Sequence, residues 1–391
     1  MRTAPLILLI VIFSLFACNS PEYVSGNLEG NLKKDIKIYL IEPQTQQEVA
    51  ATYFGKVIDS AQVNADGSFE FLNEPKTTEP ILLELAIQQS GKAPNYLQTE
   101  NPNNSNFMPI VWQQGEILKI TAKLDKFQKS FSIENPSEEN KALLNLRDLN
   151  LKAYQTYLEG KHWEVEDGSQ LMEKEHAILQ YQTELIKFAD SSSYLLPALV
   201  ALRLVSPESD YERVPEFLVR QCEKWKTNEP NHPWVKELCK QSDPYNLPVL
   251  VSDVFPDIKL PTLSKDTLSI KDNLGNKLTI IDLWASWCAP CRKENRDILA
   301  PLWDEFNNQG LQIIAYGLES SATAWEDAVT RDGANRWLQT SDLQGDDAPF
   351  LKKIRVQTIP ANFILDEKGV VIAKNIHREA LMDFVKSYMK K

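Results

Sequence analysis

Residues 281–294 read Ile281-Asp282-Leu283-Trp284-Ala285-Ser286-Trp287-Cys288-Ala289-Pro290-Cys291-Arg292-Lys293-Glu294, and this stretch decides the fold of the C-terminal third of the chain. The apolar run Lys277–Ala285 predicts a buried strand, and Cys291–Asn308 predicts a helix, so the two cysteines stand where a strand gives way to a helix. Cys-x-x-Cys serves zinc, haem or redox chemistry. A structural zinc site takes four ligands, usually including a second such pair. None follows here, and His162, His176, His232 and His377 are scattered. Haem attachment needs His directly after the second cysteine, where Arg292 stands. The strand-to-helix setting favours redox chemistry. Unpaired N–H groups and the macrodipole at a helix N-terminus favour an anion, which makes Cys288 the expected attacking thiolate. Cys291 follows within one turn on the same face and can attack a mixed disulfide formed there. Pro290 is tolerated because it falls in the first helical turn.

Working outward, Leu311–Tyr316 predicts a second strand. Ala361–Asp366 and Val370–Lys374 predict two more around a turn at Glu367-Lys368-Gly369, and Arg378–Met389 predicts a last helix. This β-α-β…β-β-α order is the thioredoxin arrangement. The 281–294 string, with Phe255-Pro256-Asp257-Ile258-Lys259-Leu260-Pro261 upstream, resembles the TlpA-like extracytoplasmic thioredoxins over residues 254–391. The resemblance implies an α/β thioredoxin fold and thiol–disulfide exchange, with no cofactor beyond the redox-active dithiol Cys288/Cys291 and no metal. It implies that Asp282 is a buried acid able to take the proton of Cys291, and that Glu294 tunes the thiol pair. Ile359-Pro360 matches the family's cis-proline loop. Pro360 is then expected to face Cys288, and Ile359 and Trp287 to meet substrate. The long interval between Cys291 and Pro360 places the family's inserted helix between Tyr316 and Asp346, with Trp325, Val329 and Trp337 as its apolar contacts. Glu319, closing the second strand, is a further candidate lining residue.

Ala289-Pro290 carries neither charge nor histidine, which favours a reductant, since a histidine there stabilises the reduced thiolate of strong oxidants. An oxidase or isomerase using the same site is the alternative. A peroxidase is disfavoured, because Ala285 stands where peroxiredoxins place threonine. A third reading is a binding lipoprotein whose N-terminal domains capture a partner.

Length suggests two or three domains, and the composition is ordinary for a soluble globular protein. The 391 residues carry 42 basic and 54 acidic side chains, a formal net charge of −12. No basic stripe is present, which excludes nucleic acid as a partner. The apolar run Pro5–Ala17 after Arg2 is too short to span a bilayer and reads as a signal peptide, 1–17. Leu15-Phe16-Ala17-Cys18 resembles a bacterial lipobox, so Cys18 is the expected lipidation site; the alternative is an ordinary cleaved signal with an incidental cysteine. The expected location is the cell envelope, facing the periplasm and anchored in the inner or outer membrane. Expected partners are disulfide-containing proteins and a membrane electron donor, and cytochrome c maturation is one process the resemblance suggests.

Residues 18–136 predict an all-β domain. Its strands are Ile36–Ile41, Ser68–Phe71, Ile81–Ile87 and Ile117–Leu124, and a hairpin is expected to join Val57–Val63 to Ser68–Phe71 across Asp66-Gly67. This part also resembles a small β domain of undetermined function that precedes thioredoxin-like domains in bacterial lipoproteins. Residues 137–243 predict a helical domain from apolar positions at helical spacing, and 244–391 the thioredoxin-like domain. Cys222 and Cys239, 17 residues apart around Pro230 and Pro233, suggest a structural disulfide between two helices. Free thiols are the alternative.

Overall fold

A computed structural model describes residues 23–32, 35–50, 55–89, 91–93, 101–164, 170–207 and 211–390. The expected signal peptide, 1–17, and the expected lipidation site Cys18 lie outside the described residues. By backbone contacts the chain divides into two compact units, residues 1–44 with 53–144, and residues 45–52 with 145–391.

The first unit holds two four-stranded sheets. Its strands are β1 (Val24–Glu29), β2 (Ile36–Glu42), β3 (Lys56–Gln62), β4 (Ser68–Phe71), β5 (Ile81–Gln89), β6 (Phe107–Trp112), β7 (Leu118–Lys123) and β8 (Ser132–Ile133), with a short helix α1 (Phe127–Ser130). The sheet orders are β4-β1-β7-β8 and β3-β2-β5-β6. In β7, Leu118, Ile120 and Ala122 are buried while Lys119, Thr121 and Lys123 face out, the alternation of a sheet with one covered face. The expected hairpin between residues 57–63 and 68–71 does not form. β3 pairs with β2, and β4 pairs with β1 in the other sheet. Gly67, at φ +89°, and Asp66, which accepts from Ser68 N at 3.0 Å, make the turn that carries the chain between sheets. The turn residues are those of a hairpin, but the strands on either side find upstream partners. Helix α2 (Glu138–Tyr157) begins in this unit. There Asn140 bonds both the N–H and the C=O of Val111 at 2.9 and 2.7 Å, satisfying backbone groups of β6.

The second unit contains the rest of α2 and helices α3 (Leu171–Ser191), α4 (Leu195–Val205), α5 (Pro215–Asn228) and α6 (Pro233–Gln241). Almost every residue of α4 is buried, as expected for an apolar helix with no polar face. Its Arg203 is only 2 % exposed and donates to the carbonyls of Val49 and Ser206. Cys222 of α5 and Cys239 of α6 are joined by a disulfide.

The α/β part follows in the same unit. It comprises β9 (Lys259–Pro261), β10 (Thr267–Ser269), β11 (Leu278–Trp284), α7 (Ala289–Glu294), α8 (Ala300–Phe306), β12 (Leu311–Gly317), α9 (Ala322–Arg331), β13 (Leu338–Thr340), α10 (Pro349–Ile354), β14 (Ala361–Asp366), β15 (Val371–Lys374) and α11 (Arg378–Met389). The sheet runs β13-β12-β11-β14-β15, with β13, β12 and β11 parallel and β14 and β15 antiparallel. Every residue of β11 is buried, which accounts for its largely apolar character, with Thr279 and Asp282 as buried polar exceptions. The expected helix after the motif starts two residues early, at Ala289, and contains a π-helical turn at Asn295–Leu299. Pro301, two residues beyond the turn, cannot donate to it, and the wider π turn accommodates this. α9 is the inserted helix, with Trp325, Val329 and Trp337 buried around it.

Residues 137–243 and 244–391, read from the sequence as separate domains, share this unit from Asn145 onward. Lys374 pairs with Glu216 at 2.8 Å, and Arg355 donates to the carbonyls of Pro244 and Leu247. Such ties are polar and distant in sequence, so hydrophobic periodicity does not register them.

Candidate active site

Strand β11 delivers the chain into the turn Ala285–Trp287, and Cys288 is the N-cap of α7. Its Sγ accepts the N–H of Cys291 at 3.3 Å, so a helix N-terminal donor points at the sulfur. Cys288 and Cys291 are joined by a disulfide and are 5 % and 3 % exposed, whereas Trp287 beside them is 66 % exposed. The turn is held from β12. Glu319, just past that strand, accepts both the N–H and the hydroxyl of Ser286, the latter at 2.9 Å. Burial pushes the Glu319 carboxyl above its usual range, against the opposing pull of the Ser286 donors and Arg292.

α7 is braced from α9. Asp332, whose side chain is almost wholly enclosed, takes two bonds from Arg292 at 2.8 Å and one from Arg296 at 2.7 Å. The forked pair fixes orientation as well as distance.

Asp282 lies in β11 between Ala315 of β12 and Asn362 of β14 and is 4 % exposed. Burial drives its carboxyl pKa well above the ordinary value, and the Glu294 carboxylate adds to the shift. Glu294 is the last residue of α7 and is itself buried. It accepts the backbone N–H of Arg378 at 2.9 Å and meets His377 Nδ1 at 2.8 Å. Glu294 thus ties the end of α7 to His377 and Arg378 at the start of α11, and its charge is felt at buried Asp282.

Ile359-Pro360 is a cis peptide. Ala361, the next residue, pairs with Leu283 of β11, so the loop 357–360 and the motif turn leave the sheet at the same end. Two residues of the α4–α5 connection reach this loop. Glu212 Oε1 accepts from Gln357 N, Thr358 N and Thr358 Oγ1 at 3.1, 3.2 and 2.8 Å. Arg213 donates to Pro360 O and Asn375 Oδ1, both at 3.3 Å, and pairs with Glu175 at 3.2 Å.

The structure therefore brings Cys288, Cys291, Trp287, Asp282, Glu294 and the Ile359-Pro360 loop to one end of the sheet. Cys222 and Cys239 belong to the helical part. Glu212, Arg213, Asp332 and His377 were not singled out as site residues from sequence. They are isolated charged or polar residues with no motif around them, and only His377, just before the predicted last helix, offered a positional cue. Among the described residues no group of three or more His, Cys, Asp or Glu side chains is arranged to hold a metal ion.

Residues 250–384 match the Redoxin family. The thioredoxin-like protein YneN of Bacillus subtilis (strain 168) is 31 % identical over 122 residues, covering 31 % of this chain and 68 % of that protein. The thiol:disulfide interchange protein DsbE of Pseudomonas fluorescens biotype C is 26 % identical over 141 residues, covering 34 % and 71 %. The thiol-disulfide oxidoreductase ResA of Bacillus thuringiensis subsp. konkukian (strain 97-27) is 26 % identical over 136 residues, covering 35 % and 75 %. With a Cys-x-x-Cys pair capping the helix after the central strand, the chain belongs to the thioredoxin family of thiol–disulfide oxidoreductases. Its activity is dithiol–disulfide exchange, carried in the α/β sheet at the C-terminal end.

Proposed function

We propose that the protein reduces disulfides of polypeptide substrates outside the cytoplasm, through Cys288 and Cys291. The observation that carries this reading is the placement of Cys288 Sγ at the N-cap of α7, accepting the Cys291 N–H; the Asp282 carboxyl, its pKa raised by burial, lies in β11, the strand that leads into the motif. The Cys288 thiolate attacks one sulfur of the substrate disulfide. A mixed disulfide forms, and the other substrate sulfur leaves as a thiolate and takes a proton. Cys291 then loses its proton to Asp282 and attacks the Cys288 sulfur, and the second substrate thiolate departs. Two electrons pass to the substrate, and the dithiol becomes the Cys288–Cys291 disulfide. A carboxylate of raised pKa is a better match for a thiol proton than an ordinary one. Trp287 and the backbone of Ile359 meet the substrate, Pro360 packs beside the dithiol, and Glu294 sets the charge felt by Asp282. No organic cofactor enters the cycle.

An extracytoplasmic setting is supported by the apolar leader Pro5–Ala17 and by the Cys222–Cys239 disulfide, since structural disulfides persist in oxidising compartments. In this reading the signal peptide is removed, Cys18 carries the lipid anchor in the inner or outer membrane, and a membrane dithiol donor restores the reduced pair. The relatives' names, thiol-disulfide oxidoreductase and thiol:disulfide interchange protein, support disulfide-containing proteins as substrates.

The test is the reduction potential of the Cys288–Cys291 pair, equilibrated against dithiothreitol and glutathione buffers, with Cys288→Ser as control. A reductase is expected near the thioredoxin value of about −270 mV. A value near the strong-oxidant end, about −120 mV, would reverse the direction and point to an oxidase.

A further inference from the structure

The loop that ends in the cis-proline is held by the helical part of the chain, outside the α/β sheet that carries the chemistry. Glu212 accepts the consecutive N–H groups of Gln357 and Thr358 and the Thr358 hydroxyl. Arg213, the next residue, donates to the carbonyl of Pro360. The two side chains therefore grip the loop on both sides of Ile359. Ile359 itself is half-buried, and its N–H and C=O make no hydrogen bond to any described residue. A backbone donor and acceptor left open between two fixed neighbours form a short strand edge, and an extended chain pairs with such an edge through main-chain bonds.

Arg213 is itself fixed. Its second nitrogen is held by Glu175 of α3 and its first also by Asn375, while Glu216, near the start of α5, pairs with Lys374 of β15. A forked guanidinium held on several sides loses little further freedom when it orients a carbonyl.

We propose that Glu212 and Arg213 are positioning residues that pre-set the Ile359 backbone for pairing with an extended polypeptide segment flanking the substrate cysteine. The helical part would thereby confer preference for polypeptide disulfides over small ones. This rests on the reading that Ile359 meets the substrate. Pre-organisation lowers the ordering cost of binding, so it acts on substrates long enough to pair with the loop. A small disulfide, which needs only the sulfur of Cys288, is indifferent to it.

The experiment uses the full chain, pre-reduced. Its single-turnover oxidation is followed by tryptophan emission with two oxidants, an oxidised two-cysteine peptide of about ten residues and hydroxyethyl disulfide. In Glu212→Ala and in Arg213→Ala the half-saturating peptide concentration is expected to rise about tenfold, equivalent to about 1.4 kcal/mol, with the maximal rate unchanged. Glu212→Gln, which keeps the accepting oxygen, is expected to behave as the unaltered protein. The rate with hydroxyethyl disulfide and the reduction potential are expected to stay the same in all variants. Equal losses with both oxidants, or no change with the peptide, would overturn the proposal. Oxidation of the unaltered protein by hydroxyethyl disulfide alone would keep the dithiol chemistry and overturn the polypeptide preference. Oxidation by neither would remove the proposed function and this inference with it. If one alanine variant does not fold, the other carries the test, since each contacts the loop independently.

Discussion

Replacing Asp282 by asparagine is expected to stabilise the oxidised protein increasingly as pH rises, while slowing its turnover. The Asp282 carboxyl is 4 % exposed, and burial followed by the nearby Glu294 charge raises its pKa well above the ordinary 3.8. Between that ordinary value and the folded one, the unfolded chain has released its proton and the folded chain still holds it. The folded state binds more protons in this window, so stability falls with rising pH, by about 1.4 kcal/mol per pH unit for one such group. The amide that Asp282→Asn introduces has nothing to titrate. The stability difference, variant minus unaltered protein, should therefore be level below about pH 4 and then climb at about 1.4 kcal/mol per unit. It flattens where the folded carboxyl finally ionises, so the plateau reads that pKa directly. The assay is urea unfolding across pH 3–8 with the Cys288–Cys291 disulfide intact, so that no thiol of the site titrates. Tryptophan emission suits it, because eight of the nine tryptophans lie in the unit that holds Asp282. Loss of the base should slow the Cys291 step by about a hundredfold. A difference that stays flat from pH 4 to 7 would refute the assignment of a high-pKa buried acid.

Removing the Cys222–Cys239 disulfide by double serine substitution should cost about 3 kcal/mol, the usual effect for a loop of this length. The measure is the urea midpoint, and the hydroxyethyl disulfide rate should not change. Glu319→Ala leaves the Ser286 N–H and hydroxyl without their acceptor and should cost about 1–3 kcal/mol. Glu319→Gln, which keeps an acceptor, should lose less in the same melts. Asp332→Ala releases Arg292 and Arg296 into solvent that already reaches them, and should cost about 2 kcal/mol, read by the same unfolding curves.

What could be read in the sequence follows from where the physics is local. β11 and α11 lie within a residue of their expected bounds because each has a clear pattern, a mostly apolar run or a helical stripe. The cysteine pair was legible because its chemistry requires both spacing and a helix start. Asp282 and Glu294 were placed only by resemblance, and nothing local told that His377, 83 residues after Glu294, would meet it. The misplaced pairing of β3 with β4 has the same origin. A turn signal at Asp66-Gly67 reports a reversal of the chain and says nothing about which strands compete for each edge. The π turn at 295–299 was invisible because its residues are ordinary helix formers apart from the proline that follows. Glu212 and Arg213 are a charged pair in a connection, indistinguishable by type from any solvated pair.

The segment 45–52 interrupts the first unit yet belongs to the second. Gln46 N bonds Glu237 and Val49 O receives Arg203, contacts 191 and 154 residues apart in sequence. The entropy of closing such loops grows only with the logarithm of their length, so the arrangement takes little from the final stability. Its effect falls on folding rate, since distant contacts form late. During synthesis, residues 45–52 emerge early and wait until the chain has passed Glu237 before they can take their places. The unit that carries the dithiol therefore assembles around a piece made long before the rest, and a chain cut anywhere between residues 52 and 203 would enter folding without it.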